Sequence, residues 1–244
     1  MSNFGSAPNR QRLDWNDIDL VVFDVDGTLY DQRRLRLAML RQLLVAAWQS
    51  RSLDTLKTLR TFRRVREALG DQPGADFMQL QYAQTASRHR KTDEQVRALV
   101  TEWLEQRPLP LLASCRYPHL SELFTGLRVS GKQVAVFSDY PASDKMAALG
   151  LVAQPIVCAT DADIGRLKPD PLGLLAILHR TGVEAQRALM IGDRIDRDAA
   201  AAGRAGVRAL IRTRKPHPEI DTFHAYNDPV FQPLLTRFGI PATA

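Results

Sequence analysis

The sequence predicts an α/β fold, a doubly wound parallel sheet interrupted by an inserted all-helical segment. Three observations predict it. The run "DLVVFDVD" is β-branched and almost continuously apolar, as a strand buried on both faces requires. From Arg33 to about Arg107 apolar residues recur at helical spacing only. Beyond "RPLPLLASCRYP", strand-like and helix-like runs alternate, with Gly, Pro or Asp at the joins.

The start, "MSNFGSAPNRQRLDWND", lacks the basic-then-apolar layout of a signal peptide and reads as a flexible lead-in, residues 1–17. Val21 to Asp24 then forms a central strand. Three helical stretches follow, "LRLAMLRQLLVAAWQ", "LDTLKTLRTFRRVREALG" and "TDEQVRALVTEWLEQ", the last opening on a capping box from Thr92 to Gln95. Trp48 and Trp103 are expected to pack inside this block. Helix then strand recurs in "LSELFTGLRVSG" and "KQVAVFSDY", in "SDKMAALGL" and "PIVCAT", in "PLGLLAILHRTG" and "RALMIGD", and in "RDAAAAGRAG" and "VRALIR". The Pro-rich segment after residue 212 shows no strand periodicity, although "DPVFQPLLTRF" suits a short packed helix. The expected organisation is an α/β core over 18–30 and 115–212, a helical insertion over 31–114, and a C-terminal extension over 213–244.

Composition narrows the function. A chain of 244 residues, 45% hydrophobic and 25% charged, can bury a full core. No apolar run reaches the roughly 18–20 residues that cross a bilayer. Cys115 and Cys158 lie too far apart in sequence to suggest a zinc site or a disulfide framework, which makes the reducing cytoplasm the default compartment. Net charge is +6, and it is concentrated: residues 32–70 hold ten Arg or Lys against Asp54 and Glu67. That stretch attracts anions, or is the solvated face of amphipathic helices.

In open parallel sheets, ligands bind just beyond the carboxyl ends of the strands. Four chemically loaded groups follow strand runs: "DVDGT", Ser138 and Asp139 after "VAVF", Lys168 in "GRLKPDP", and Asp193 after "ALMIG". Asp24 and Asp26 need a compensating cation if buried. Mg²⁺ takes oxygen ligands from one or two carboxylates plus substrate phosphate, which Asp24 and Asp193 can supply. Gly27 permits a tight turn. Each residue also has a plain structural reading, since Asp-Gly is common in turns, Ser138 and Asp193 could cap helices, and Lys168 could be a solvated loop residue. Their recurrence after successive strands favours the chemical reading. The five histidines show no ligand spacing.

"DVDGTL", "VFSD", "LKPDP" and "IGDRIDRD" resemble, in order and approximate spacing, the four motifs of the haloacid dehalogenase superfamily, over roughly residues 18–212. The helical block sits where the phosphoglycolate-phosphatase-like members insert a C1 cap. The resemblance implies a Rossmann-like core, Mg²⁺ as cofactor, and a phosphatase that forms an aspartyl-phosphate on Asp24. It implies Asp26 as acid and base, its backbone carbonyl touching the metal, and Asp193 as the primary metal ligand. Ser138, Asp139, Lys168, Gly27 and Thr28 would bind phosphate, and Asp198 would orient a metal-bound water or Lys168. Asp196 is a weaker candidate than Asp198. Dehalogenases of the family lack the second aspartate, so Asp26 argues against a halo-acid. Where many family phosphatases carry Asn or Gly, Asp139 is followed by Tyr140 and Pro141, which predicts a differently shaped phosphate loop.

The expected substrate is a small phosphorylated metabolite, handled by a monomer or homodimer. Two alternatives are a phosphomutase and a phosphatase of a phosphorylated lipid or polyprenyl substrate, with the basic segment at an anionic surface. Nucleic acid is not expected, because aromatics are not interleaved with the arginines as stacking platforms.

Overall fold

The computed structural model describes residues 13–72 and 76–242. Six strands form one parallel sheet: β1 (Leu20–Phe23), β2 (Gln133–Ser138), β3 (Ile156–Cys158), β4 (Ala188–Gly192), β5 (Arg208–Arg212) and β6 (Asp221–Phe223). Their order is β3-β2-β1-β4-β5-β6, so the chain winds outward from β1 in both directions. The expected doubly wound sheet with a central Val21–Asp24 strand is thus observed. Alternate β1 residues serve opposite faces, Val21 and Phe23 in one apolar cluster and Leu20 and Val22 in another. Both faces are covered, which is why the run is continuous rather than alternating.

Between β1 and β2 the chain makes α1 (Gln32–Ser50), α2 (Asp54–Gly70), α3 (Phe77–His89), α4 (Asp93–Val100) with a π-helical continuation (Thr101–Gln106), α5 (Leu109–Cys115) and α6 (Leu120–Val129). The helical insert leaves and re-enters the core at one point, where Tyr30 bridges Arg116 antiparallel and Asp31 N–H donates to Cys115 O at 2.8 Å. The Thr92–Gln95 capping box is formed reciprocally. Helix α6 lies on the sheet, where the Phe124 ring stacks on Phe23 at 4.8 Å. Truncating such a buried phenylalanine costs about 3–5 kcal/mol.

The remaining helices are α7 (Ser143–Leu149), α8 (Leu172–Thr181), α9 (Ala200–Arg204) and α10 (Gln232–Leu235). Three findings depart from the sequence reading. The sheet does not end at residue 212, because β6 pairs with β5. Its three residues are too few to display a period of two. Residues 1–12 of the expected lead-in lie outside the described residues, but Trp15 is buried and packs 6.1 Å from Phe231. Trp103 is buried as expected, whereas Trp48 is 82% exposed. Trp48 follows the buried Met39 by nine residues, about two and a half turns, and so projects from the opposite side of α1.

Candidate active site

Parallel register brings the strand ends level. Phe23 pairs with Val136 on one side and Ile191 on the other, so Asp24, Ser138 and Asp193 all emerge at the same edge of the sheet. Asp24 extends the ladder by one bond, its N–H donating to Ile191 O at 2.9 Å. The turn that follows needs Gly27, which holds φ at +102°, and a Cβ there would overlap the Asp193 carboxylate. Glycine is thus required twice, for the backbone and for the approach of Asp193.

Lys168 reaches this edge from the loop before α8. It is 2% exposed, and its ammonium donates to Asp24 Oδ1 at 2.5 Å, to Asp198 Oδ1 at 2.7 Å and to Phe137 O at 3.3 Å. The Thr28 hydroxyl donates to the other Asp24 oxygen at 2.9 Å. Asp198 sits in a π-helical turn (Ile195–Ala199), and its Oδ2 accepts the backbone N–H of Asp193 and of Arg194 at 3.1 and 3.0 Å. Both Asp198 oxygens therefore orient neighbours. The Asp193 carboxylate makes no hydrogen bond among the described residues.

Asp24, Asp193 and Asp198 each place a carboxylate oxygen within 4.8 Å of the other two. One lysine facing two buried carboxylates and a half-buried third leaves unbalanced negative charge. Burial pushes Asp24 well above the ordinary carboxylate range despite Lys168, and burial together with Asp198 pushes Asp193 up to about 7. An all-oxygen donor set with surplus negative charge fits a hard divalent cation.

Asp26 behaves differently. Lys145, on α7, donates to both its oxygens at 2.7 and 2.8 Å, and the Tyr30 hydroxyl makes a short bond to Oδ1. Burial opposes ionisation here, yet Lys145 and Tyr30 outweigh it and hold the carboxyl below its usual range.

The residues expected to bind phosphate are arranged unevenly. Ser138 is fully buried, and its hydroxyl accepts the Tyr140 N–H at 3.2 Å. The Asp139 carboxylate, raised by burial, accepts the Lys168 N–H at 2.9 Å, so it fixes the lysine loop. Asp24, Asp26, Asp139, Lys168, Asp193 and Asp198 line one cavity of about 630 Å³, whereas Gly27, Thr28 and Ser138 support it from behind. The other candidate, Asp196, is exposed and pairs with Arg194 at 2.5 Å.

The roof of that cavity comes from the helical insert. Leu35, Met39, Leu40 and Leu43 of α1 and Leu59 of α2 line it, with Arg36, Arg60, Arg63 and Arg64. The basic segment is therefore more than a solvated face. Arg66 is buried, bonded to the carbonyl of Asp139 and stacked 4.2 Å over Tyr140. Arg197 donates to Lys168 O at 2.9 Å and to Glu67 O at 3.1 Å, and Arg194 pairs with Glu67 at 2.6 Å.

Lys145, Tyr30, Arg66 and Arg197 were not singled out by sequence reasoning. Nor was Tyr226, whose buried hydroxyl donates to Thr28 O at 2.8 Å and buttresses the turn after β1 from the C-terminal segment. Lysine one turn into a helix and arginine among ten basic residues carry no motif. Only the folded chain distinguishes them.

Fold and site together define an α/β protein with a carboxylate–lysine centre beneath a helical roof. The family description "haloacid dehalogenase-like hydrolase" matches residues 18–206. A phosphoglycolate phosphatase from Rhodospirillum rubrum is 30% identical over 230 residues, 91% of each chain. A glyceraldehyde 3-phosphate phosphatase from Methanopyrus kandleri is 25% identical over 201 residues, 81% of this chain and 84% of that one. The crystal structure of a 2-haloacid dehalogenase from Pseudomonas syringae superposes with a TM-score of 0.61 at 21% identity, covering 91% of this chain and 99% of the other. The chain belongs to the haloacid dehalogenase-like hydrolase family, and within it is a phosphatase.

Proposed function

We propose that the chain is a Mg²⁺-dependent phosphomonoesterase that works through an aspartyl-phosphate on Asp24. The observation that carries the reading is the Lys168 ammonium bridging Asp24 and Asp198 at the edge where Asp193 presents an unbonded carboxylate. Asp24 and Asp193 would hold the metal, and the Asp26 carbonyl would complete its protein ligands. When bound, Mg²⁺ offsets the negative charge of the phosphoryl group, which would otherwise repel a carboxylate nucleophile.

In the first half-reaction an Asp24 oxygen bonds to phosphorus and the bond from phosphorus to the leaving oxygen breaks. Thr28 and Lys168 hold the Asp24 carboxylate from both sides and so fix the attacking atom. Lys168 also supplies positive charge to the phosphoryl oxygens. The leaving alkoxide takes a proton from Asp26. An entering phosphate dianion raises the affinity of Asp26 for that proton, against the effect of Lys145. In the second half-reaction Asp26 accepts a proton from water, the water oxygen bonds to phosphorus, and the bond to Asp24 breaks. Inorganic phosphate leaves and Asp24 is regenerated.

The relatives' phosphatase activities support hydrolysis as the outcome, and the residues around Lys168 and Asp24 act on the phosphoryl group alone. Selection of the alcohol falls to the roof residues of α1 and α2. The test is phosphate release from a broad panel of phosphomonoesters by wild type, by Asp24→Asn and in EDTA. Activity confined to the untreated wild type supports the reading. Transfer to a second hydroxyl with no free phosphate would instead establish a mutase.

A further inference from the structure

Helix α1 carries an apolar stripe on its outer side. Leu37, Leu40, Leu44 and Trp48 follow one another at helical spacing and are 54, 42, 51 and 82% exposed. Single exposed apolar residues are ordinary on a soluble protein, but a helix-periodic row ending in tryptophan marks an interaction surface. Arg33, Arg34 and Arg41 stand on the same helix and Arg51 ends it, none with an ion pair or side-chain hydrogen bond among the described residues. The helix contains no Asp or Glu. The two acids nearest in sequence are engaged elsewhere, Asp31 in capping the helix by accepting the backbone N–H groups of Arg33 and Arg34, and Asp54 with Lys91 at 2.5 Å.

This charge pattern selects the occupant. A second copy meeting α1 through a two-fold axis would set arginines against arginines, with no carboxylate on the helix to separate them. An anionic lipid surface supplies the missing negative charge and accepts Leu and Trp at its headgroup boundary. Leu40 belongs both to the stripe and to the lining of the catalytic cavity, beside Arg36, Arg60 and Arg64. The cavity therefore opens next to the stripe.

We infer that α1 seats on an anionic lipid surface, with Leu37, Leu44 and Trp48 in the headgroup region, so that the cavity faces lipid-borne phosphomonoesters. The substrate half of this inference rests on the phosphatase reading, while the docking half rests on the helix alone. No helix of the described residues is long and apolar enough to cross a membrane, so attachment is interfacial and reversible.

Trp48 supplies its own reporter, because Trp15 and Trp103 are buried. The full chain is mixed with phosphatidylcholine vesicles, or with the same vesicles carrying added phosphatidylglycerol, and followed by tryptophan emission and co-sedimentation. The expected result is a blue shift and sedimentation with the anionic vesicles only, weakened by salt, since each basic residue at an anionic surface strengthens partition about fivefold. Leu44→Glu should lower partition at least about tenfold, by removing an apolar contact and adding a repelled carboxylate. Its turnover of soluble p-nitrophenyl phosphate should stay at the wild-type level, which controls for folding. Absence of that turnover in wild type would sink the phosphatase reading and leave the vesicle result standing. Failure of wild type to sediment with anionic vesicles at low salt overturns the docking, as does a lipid-free dimer in which Trp48 shifts to the blue.

Discussion

The Lys145 ammonium lies 2.7 and 2.8 Å from the two oxygens of Asp26 and so holds the second aspartate of the "DVDGT" turn away from the Asp24, Asp193 and Asp198 cluster. The separation fits the different roles proposed for the two aspartates. If Asp26 protonates the leaving oxygen, its loss should matter most where that oxygen is most basic. Asp26→Asn is expected to slow hydrolysis of an alkyl phosphate by roughly 10²–10⁴-fold. Hydrolysis of p-nitrophenyl phosphate, whose leaving group needs no proton, should fall far less. Lys145→Met should show the same leaving-group dependence more weakly. Steady-state kinetics on the two substrates check it, and equal losses on both would contradict the role.

Gly27 is a prediction about the metal. Alanine there is strained at φ +102° and its Cβ overlaps the Asp193 carboxylate, so Asp193 must move. Gly27→Ala should weaken Mg²⁺ binding by at least about tenfold, in the range seen when residues that orient ligands are lost. Titration calorimetry of the metal alone reads this without turnover.

Arg197 joins the roof to the floor. It is 5% exposed and satisfies the carbonyls of Lys168 and Glu67 while pairing with Asp71 at 2.7 Å. Arg197→Ala leaves the buried Lys168 carbonyl without this donor, which costs about 1–3 kcal/mol. Urea denaturation should show that loss, and kcat/KM should fall because the Lys168 loop loosens. Unchanged stability with unchanged kinetics would remove Arg197 from the account.

Cys158 gives a pH prediction away from the cluster. Burial and the adjacent Asp161 push its thiol up to about 11. The folded state therefore disfavours the thiolate, and its contribution to stability is intact below the unfolded thiol value near 9 and is lost as pH rises from there to about 11. At pH 8 a thiol reagent should leave Cys158 unmodified in the native protein and label it on unfolding. Rapid native labelling, located by peptide mass spectrometry, would contradict the burial.

The core was legible in the sequence because its signals are local. A strand buried on both faces must be apolar throughout, as β1, β4 and the Val134–Phe137 stretch of β2 are; parallel register then lines up whatever follows them. What escaped was set by distance in the chain. Tyr226 meets Thr28 across 198 residues and Lys145 meets Asp26 across 119, and no periodicity encodes such pairings. Helix α3 is not marked out as a separate element because its apolar residues are interrupted by glutamines. Trp48 was misplaced because aromatic residues in a helical block are expected inward, whereas the phase of α1, set by Leu35 and Met39, turns it out.

The central claim is that Asp24 is the nucleophile that accepts the phosphoryl group in a covalent half-reaction, and one measurement addresses it directly. Wild type and Asp24→Asn are mixed with Mg²⁺ and a radiolabelled phosphomonoester, quenched in acid within one turnover, and digested for mapping. The account predicts a hydroxylamine-sensitive label on the peptide containing Asp24 in wild type and no label in the variant. Phosphate release at the wild-type rate by Asp24→Asn, or label on any other peptide, would contradict it.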